Sequence, residues 1–392
     1  MSFVKKLKAH EFNLFKGNKP LLGRLDIELT ERCNNNCIHC CINKSEFDSD
    51  ALTKEMSTDF VKEILTEAER IGCLSVRFTG GEPLLRNDFQ DLYLFARRLG
   101  MKVILFTNAR LITEKLAEMF VKYPLGHAIE VSVYGMRTES YDSVVRQDGA
   151  YTEFHEGVSL LLKHKVPFIV KGPKFKFLKE ERDEFITWAE SIPSMDKKPG
   201  YSMNFDLRHR RDDPEKNAII KKLRLTPEET VSILTNNPLY LNSMGEFCSN
   251  FIGPPGDKLF KCGAGKSICI DSYGNAQLCL PLRCPDNLVS LHKVSLKIAL
   301  QESFKGMQEI KAKNPEYLRR CAICFLNGLC EQCPAKSWVE HGTLDTPVEY
   351  LCDVAHAQAR FLGLISDDEN AWEVNDWKVR VKRFVAIHGP AI

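Results

Sequence analysis

Three cysteines within eight residues commit the start of this 392-residue chain to a loop built around thiolates. They are Cys33, Cys37 and Cys40, in the run Glu31-Arg-Cys-Asn-Asn-Asn-Cys-Ile-His-Cys40. A four-iron cluster normally takes four Cys ligands. Three ligands leave one iron corner open, and an open metal position is where a small molecule binds. Zinc held by the same thiolates with His39 is the competing reading, but His39 abuts Cys40, whereas zinc ligand pairs stand about two to four residues apart. Buried unliganded cysteines are a third possibility. Glu31, Arg32 and three Asn residues mark the segment as a polar loop. Spacing alone favours an iron–sulfur site and leaves zinc open.

The surroundings sharpen this. Leu25-Asp-Ile-Glu-Leu-Thr30 alternates apolar and polar residues and reads as a strand entering the loop. Thr58 to Ile71 has helical spacing, with Phe60, Ile64, Leu65 and Ala68 on one face and Ser57 as N-cap. A second strand, Leu74 to Phe78, ends at Thr79-Gly80-Gly81-Glu82-Pro83. Two glycines let backbone approach a ligand closely, Glu82 offers a carboxylate to an ammonium group, and Pro83 sets the turn.

Cys-x3-Cys-x2-Cys after the first strand, with Gly-Gly-Glu-Pro after the second, resembles the radical S-adenosylmethionine superfamily. The resemblance implies that the open iron chelates S-adenosylmethionine, that an electron from the cluster splits its sulfur–carbon bond, and that a 5′-deoxyadenosyl radical results. It also implies that Gly80, Gly81, Glu82 and Pro83 meet the methionyl amino group. Val131-Ser-Val-Tyr-Gly135, leading to Arg146-Gln-Asp-Gly149, resembles a region in which a Ser and an Arg hold the cofactor carboxylate, which points to Ser132 and Arg146. Asn108 is a further candidate contact.

Further strands are expected over Met101–Phe106, Ala128–Val133, Pro167–Lys171 and Ser202–Leu207, and helices over Ile112–Phe120, Tyr151–His164, Phe185–Ser191 and Pro227–Leu234. About six βα units argue for a parallel sheet with its active residues at the C-terminal strand ends, short of the eight units of a closed barrel. The expected fold is α/β: a partial (β/α)6 radical S-adenosylmethionine barrel, then a small cysteine-rich iron–sulfur domain. Expected bounds are an N-terminal extension over 1–22, the barrel over 23–245, the cysteine-rich domain over 246–365 and a tail over 366–392.

The later cysteines carry a second pattern. Cys321-x2-Cys324 and Cys330-x2-Cys333 look like zinc-ribbon pairs, but the five-residue gap between them is short for a ribbon arm. The series Cys262-x11-Gly274-x4-Cys279, then Cys321-x2-Cys324-x5-Cys330-x2-Cys333 and Cys352, resembles the SPASM domain of peptide-modifying radical enzymes. Two residues rather than the usual three separate Cys330 from Cys333. The resemblance implies two auxiliary [4Fe–4S] clusters, one on Cys262, Cys269, Cys279 and Cys333, the other on Cys321, Cys324, Cys330 and Cys352. Cys248 and Cys284 stand as alternatives to Cys269. Cys41 and Cys73 read as packing residues.

A net charge of +2 implies no bulk attraction to nucleic acid or anionic membrane. No export signal or membrane-length apolar run is present, and fifteen cysteines then argue for metal binding in a reducing cytoplasm. The expected function is oxidative modification of a ribosomally made peptide or protein, as a crosslink, thioether or similar. The implied cofactors are S-adenosylmethionine and three [4Fe–4S] clusters. The expected partners are a peptide or small protein and an electron donor such as flavodoxin or ferredoxin; about two dozen residues before the first strand are too few for a leader-binding domain, so that role is absent, supplied by a separate leader-binding protein, or unnecessary. Radical maturation of a tetrapyrrole or metallopterin is the alternative. Formylglycine formation ranks lower, because Leu280 occupies the position of that reaction's carboxylate base and Asp271 reads as a turn former. Lys171, Lys174, Lys176 and Lys179, and Arg208 to Arg211, read as solvated basic runs or as contacts for an acidic partner. The segment Trp372 to Phe384 reads as an edge strand or a docking arm.

Overall fold

The computed structural model describes residues 15–16, 19–20, 22–175, 180–260, 262 and 267–389. Most of the expected extension over 1–22, and Lys176 and Lys179, lie outside the described residues. The chain divides into two compact units. The first joins 1–223 to 263–305, and the second joins 224–262 to 306–392. The second cysteine pattern is therefore shared between the units rather than confined to one segment beginning at 246.

In the first unit β1 (Arg24–Thr30), β2 (Ser75–Gly80), β3 (Lys102–Thr107), β4 (Ile129–Ser132), β5 (Phe168–Pro173) and β6 (Gly200–Ser202) are parallel neighbours in that order. The connections carry α1 (Thr58–Arg70), α2 (Phe89–Arg98), α3 (Glu114–Lys122), α4 (Thr138–Val145), α5 (Ala150–Lys163) and α6 (Arg182–Glu190), and α7 (Pro214–Leu223) follows β6. This is the expected βα alternation. The sheet continues past β1 through β7 (Ser267–Ile270), parallel to it, and then antiparallel β8 (Asn275–Gln277) and β9 (Val289–Ser290). The sixth strand lies earlier than Ser202–Leu207, because residues beyond Ser202 leave the sheet: the N–H of His209 bonds to Cys41 O at 3.0 Å.

In β1 Leu25, Ile27 and Leu29 are wholly buried, as the alternation predicts, but Asp26, Glu28 and Thr30 are buried as well. Their face is kept by charge pairing: Arg77 pairs with Asp26, and Arg283 with Glu28. Ser57 caps α1 through its Oγ and the N–H of Phe60. Its buried face is Val61, Ile64, Leu65 and Ala68; Phe60 stacks instead on His292, ring centroids 4.3 Å apart.

In the second unit α8 (Pro227–Thr235), α9 (Tyr240–Phe251), α10 (Pro334–His341), α11 (Glu349–Phe361) and α12 (Trp377–His388) surround a core that includes Tyr240, Cys248, Phe325, Leu326, Ala359 and Phe384. The tail is thus a helix, neither edge strand nor arm. The alternation over Trp377–Val381 misleads because Trp377, Val381, Phe384 and Val385 stand at helical spacing against that core, while Val379 is 66% exposed.

Candidate active site

The three-cysteine loop leaves the C-terminal end of β1, where parallel α/β sheets place their chemistry. It is polar, as expected, yet deeply buried: Glu31, Asn34, Asn35, Cys37 and Asn43 are all under 9% exposed. Polar groups at that depth need partners, and the fold supplies them. The N–H groups of Asn36 and Ile38 bond to the carbonyls of Val145 and Val144, at 2.8 and 3.0 Å, at the end of α4. The N–H of Asn35 points at Cys33 Sγ and that of Asn43 at Cys40 Sγ, each at 3.4 Å. Tyr134 hydrogen-bonds to Cys37. Burial, then the neighbouring Cys40, pushes the Cys37 thiol up to about 12, and burial also raises Cys33 well above its ordinary value. Gathered thiols of this kind become thiolates only against a strong cationic centre. Among the described residues no three His, Cys, Asp or Glu side chains converge on a single metal ion. A cluster takes each thiolate on its own iron, so the donor set fits a cubane. His39 packs among the rings of Tyr134, Phe175 and Phe205 rather than beside the thiols as a ligand.

The glycines of the second motif allow a close approach, and the chain itself is what they approach. A Cβ on Gly80 would lie 2.1 Å from Thr30 O and one on Gly81 2.2 Å from Arg32 O, and Gly80 has φ +121°. In their place Gly81 N–H bonds to Thr30 O at 2.7 Å and Glu82 N–H to Arg32 O at 2.9 Å. Glu82 is wholly buried, and its carboxylate accepts from Asn108 N (2.8 Å), Thr107 Oγ1 (2.9 Å) and Leu84 N (3.1 Å). Burial raises it to about 7. Three donors leave one of a carboxylate's roughly four acceptor positions. Pro83 opens the short 3-10 turn that Glu82 caps. Asn108 reaches the cysteine loop, its Nδ2 bonding to Asn34 Oδ1 at 2.8 Å and facing Cys33 Sγ at 3.9 Å.

Ser132 ends β4 and is half-buried, paired in register with Lys171. Arg146 is exposed in the left-handed conformation directly after Val144 and Val145, the carbonyls that hold the loop. A cavity of about 390 Å³ opens past β4 and β5, lined by Tyr134, Gly135, Pro173, Lys174 and Phe175 among others. Deeper in the sheet, Lys171 and Arg77 both lie over the Phe106 ring, at 3.4 and 4.6 Å, and Lys171 pairs with Glu130 at 2.6 Å.

The Arg208–Arg211 run is not a solvated face. Arg208 holds Asn43 O at 3.1 Å, and Arg210 pairs with Glu31 and Asp271 at 2.8 and 3.1 Å. Lys216 on α7 and Arg110 after β3 hold the same loop. Lys216 and Arg110 escaped the sequence reading, because 173 residues separate Lys216 from Asn43 and no spacing records that contact.

Of the auxiliary cysteines, Cys321, Cys324, Cys330 and Cys352 line one cavity of about 490 Å³ in the second unit, with Arg320, His356 and Trp372. Backbone N–H groups of Leu326 and Gln332 bond to the sulfurs of Cys324 and Cys330, and Arg320 Nη2 approaches Cys352 Sγ at 3.6 Å. Burial pushes Cys321 up to about 12 and Cys324 to about 11. The other set is divided. Cys269 and Cys279 belong to the first unit, and Cys262 and Cys333 to the second. Cys269 is wholly buried within β7, not in a loop with the exposed Cys262. Cys248 packs in the apolar core of the second unit, and Cys284 is buried in the first. Asp271 is committed to the β7–β8 turn through the N–H groups of Tyr273 and Asn275.

The radical SAM superfamily model matches residues 27–189. Among curated proteins, the chain is 31% identical to a Fe-coproporphyrin III synthase of Methanosarcina barkeri over 147 residues, 38% of this chain and 35% of that one. It is 34% identical to a PqqA peptide cyclase of Bradyrhizobium diazoefficiens over 125 residues, 32% of each. The chain thus spans about a third of the length of these relatives. A solved structure of native anSMEcpe with bound AdoMet shares the fold at TM-score 0.62 and 15% identity, over 93% of this chain and 99% of that one. With the cysteine loop at the end of β1 and the Gly-Gly-Glu-Pro turn locked against it, residues 27–189 are a radical S-adenosylmethionine domain.

Proposed function

We propose that this protein is a maturase of the SPASM type that oxidises a ribosomally made peptide or small protein. The observation that carries the reading is the meeting of Cys321, Cys324, Cys330 and Cys352 at one cavity, in a chain whose Cys33–Cys40 loop has three thiols and no fourth. Four thiols per cubane suit electron transfer, and three suit cofactor ligation. Cys33, Cys37 and Cys40 hold the first cluster. Glu82, with the backbone of Gly80 and Gly81 and the Pro83 turn, receives the methionyl ammonium; Ser132 and Arg146 receive the carboxylate; Asn108 orients the loop. When bound, the cluster and S-adenosylmethionine supply a 5′-deoxyadenosyl radical able to take hydrogen from an unactivated carbon. Cys262, Cys269, Cys279 and Cys333 hold a further cluster. The electron donor is of the flavodoxin or ferredoxin class, and the setting is a reducing cytoplasm. Among the described residues no helix is long and apolar enough to cross a membrane. The PqqA peptide cyclase likeness supports a peptide substrate.

A tetrapyrrole substrate is the second reading, favoured by the likeness to Fe-coproporphyrin III synthase. Formylglycine formation gains no support, since Asp271 is engaged in its turn. The test is anaerobic purification, iron analysis and mass spectrometry. About twelve irons per chain fit three cubanes. A precursor peptide encoded nearby should lose two hydrogens on incubation with S-adenosylmethionine and reductant. Unmodified peptides together with turnover of a coproporphyrin would establish the second reading, and zinc with no 5′-deoxyadenosine would exclude both.

A further inference from the structure

Helix α7 places a lysine against the cysteine loop with no acid to balance it. Lys216 is 7% exposed, and its Nζ meets Asn43 Oδ1 at 2.8 Å and Asn36 Oδ1 at 3.3 Å. Both are neutral amide oxygens, and among the described residues no carboxylate pairs with the ammonium. The groups whose charge bears on it are the sulfurs of Cys40 and Cys37, which favour the ammonium, and Arg208 and Arg146, which oppose it. The arginines that hold this loop each have an acid: Arg208 pairs with Asp212 at 2.9 Å, Arg110 with Glu153 at 2.7 Å, and Arg210 with Glu31 and Asp271 at 2.8 and 3.1 Å. Burying an unpaired ammonium is costly. That cost is offset if the loop it faces holds a centre of opposite charge.

We infer that Lys216 is a positioning residue whose charge sets the reduction potential of the cluster held by Cys33, Cys37 and Cys40. The inference rests on the cluster assignment proposed above. Such a cluster with three thiolates is net negative, and one electron from a flavodoxin- or ferredoxin-type donor makes it more so. A cation held close by, in a region of low dielectric, favours the reduced form and raises the potential. The Arg208–Asp212 pair is near neutral by comparison. Lys216 therefore brings to the loop a buried positive charge with no acid of its own among the described residues.

The test is a potentiometric titration followed by electron paramagnetic resonance, on the anaerobically reconstituted full chain, with iron measured in each sample. Lys216→Gln keeps a donor for Asn43 Oδ1 and removes the charge; its midpoint should fall below that of the unaltered protein. Lys216→Arg keeps the charge and should restore the midpoint. Asp212→Asn leaves Arg208 uncompensated and should raise it. Unaltered midpoints in both Lys216→Gln and Asp212→Asn overturn the inference. If Lys216→Gln fails to hold iron, Asp212→Asn decides: an upward shift supports the charge role and no shift overturns it. If the unaltered protein shows no reducible cubane signal that S-adenosylmethionine perturbs, the cluster assignment itself falls, and the role of Lys216 with it.

Discussion

Arg283 donates to Glu31 at 2.5 Å across 252 residues of sequence, and to both oxygens of Glu28. All three side chains are sealed from water. Arg210 adds a second cation at Glu31, and the Tyr273 hydroxyl donates to the same carboxylate at 2.8 Å. The loop between Cys279 and Cys284 is thereby tied to the residue two positions before Cys33. The arrangement explains how a barrel wall can bury Glu28 at the centre of β1.

Arg283→Met should be severe. It leaves Glu28 buried without a cation, and breaking a buried pair from one side costs about 3–5 kcal/mol. Urea unfolding of the apoprotein should show a matching fall in stability. Replacing the pair together, Arg283→Met with Glu28→Met, should recover much of it. An unchanged urea midpoint in the single variant would contradict the network.

Gly81→Ala should disturb the cysteine loop rather than only a turn. The new methyl group meets the carbonyl of Arg32, so backbone and not a flexible side chain has to move. Overpacking of this kind costs about 1–3 kcal/mol. The expected outcome is lower thermal stability together with poor iron retention at the first cluster. Full iron loading at normal stability would show that the approach of the two loops is not tight.

Cys37→Ala and Cys324→Ala should separate two kinds of loss. Cys37→Ala abolishes 5′-deoxyadenosine formation. Cys324→Ala lowers iron by about four per chain, retains part of the cofactor cleavage and stops product turnover. Full turnover by Cys324→Ala would remove the electron-transfer role of that cavity.

The tail helix should loosen in acid. Arg380 grips Glu369 in a two-pronged pair, and the N–H and hydroxyl of Ser366 donate to the same carboxylate at 2.8 Å. These bonds, the one from Arg380 foremost, hold Glu369 down at about 2. A depressed carboxyl contributes stability that is complete above its ordinary value of 4.5 and is lost as pH falls towards 2. Amide exchange in α12, corrected for intrinsic rate, should speed up across that window. Glu369→Gln should show faster exchange already at pH 6 and little further change in acid.

Much of the fold could be read from local pattern. Alternation in Leu25–Thr30, helical spacing in Thr58–Ile71 and the regular succession of strands and helices are short-range properties, and they placed five strands of the parallel sheet within a few residues. Pattern failed where packing outranks spacing. Ser202–Leu207 looks like a strand, but its chain is drawn out of the sheet towards Cys41. Val379 and its neighbours alternate like a strand and coil as a helix, because Trp377 stacks on Phe325 and Phe384 completes the same core.

Cysteine spacing was enough to single out the Cys33, Cys37 and Cys40 loop, and the family resemblance grouped Cys321, Cys324, Cys330 and Cys352, which the fold brings to one cavity. What surrounds those thiols was decided only on folding. That Gly80 and Gly81 press on Thr30 and Arg32, that Arg208 grips Asn43, and that Lys216 meets Asn36 and Asn43 are contacts between distant segments. Electrostatics acts through space over a few ångströms, and no linear interval encodes which charges the fold brings within that reach.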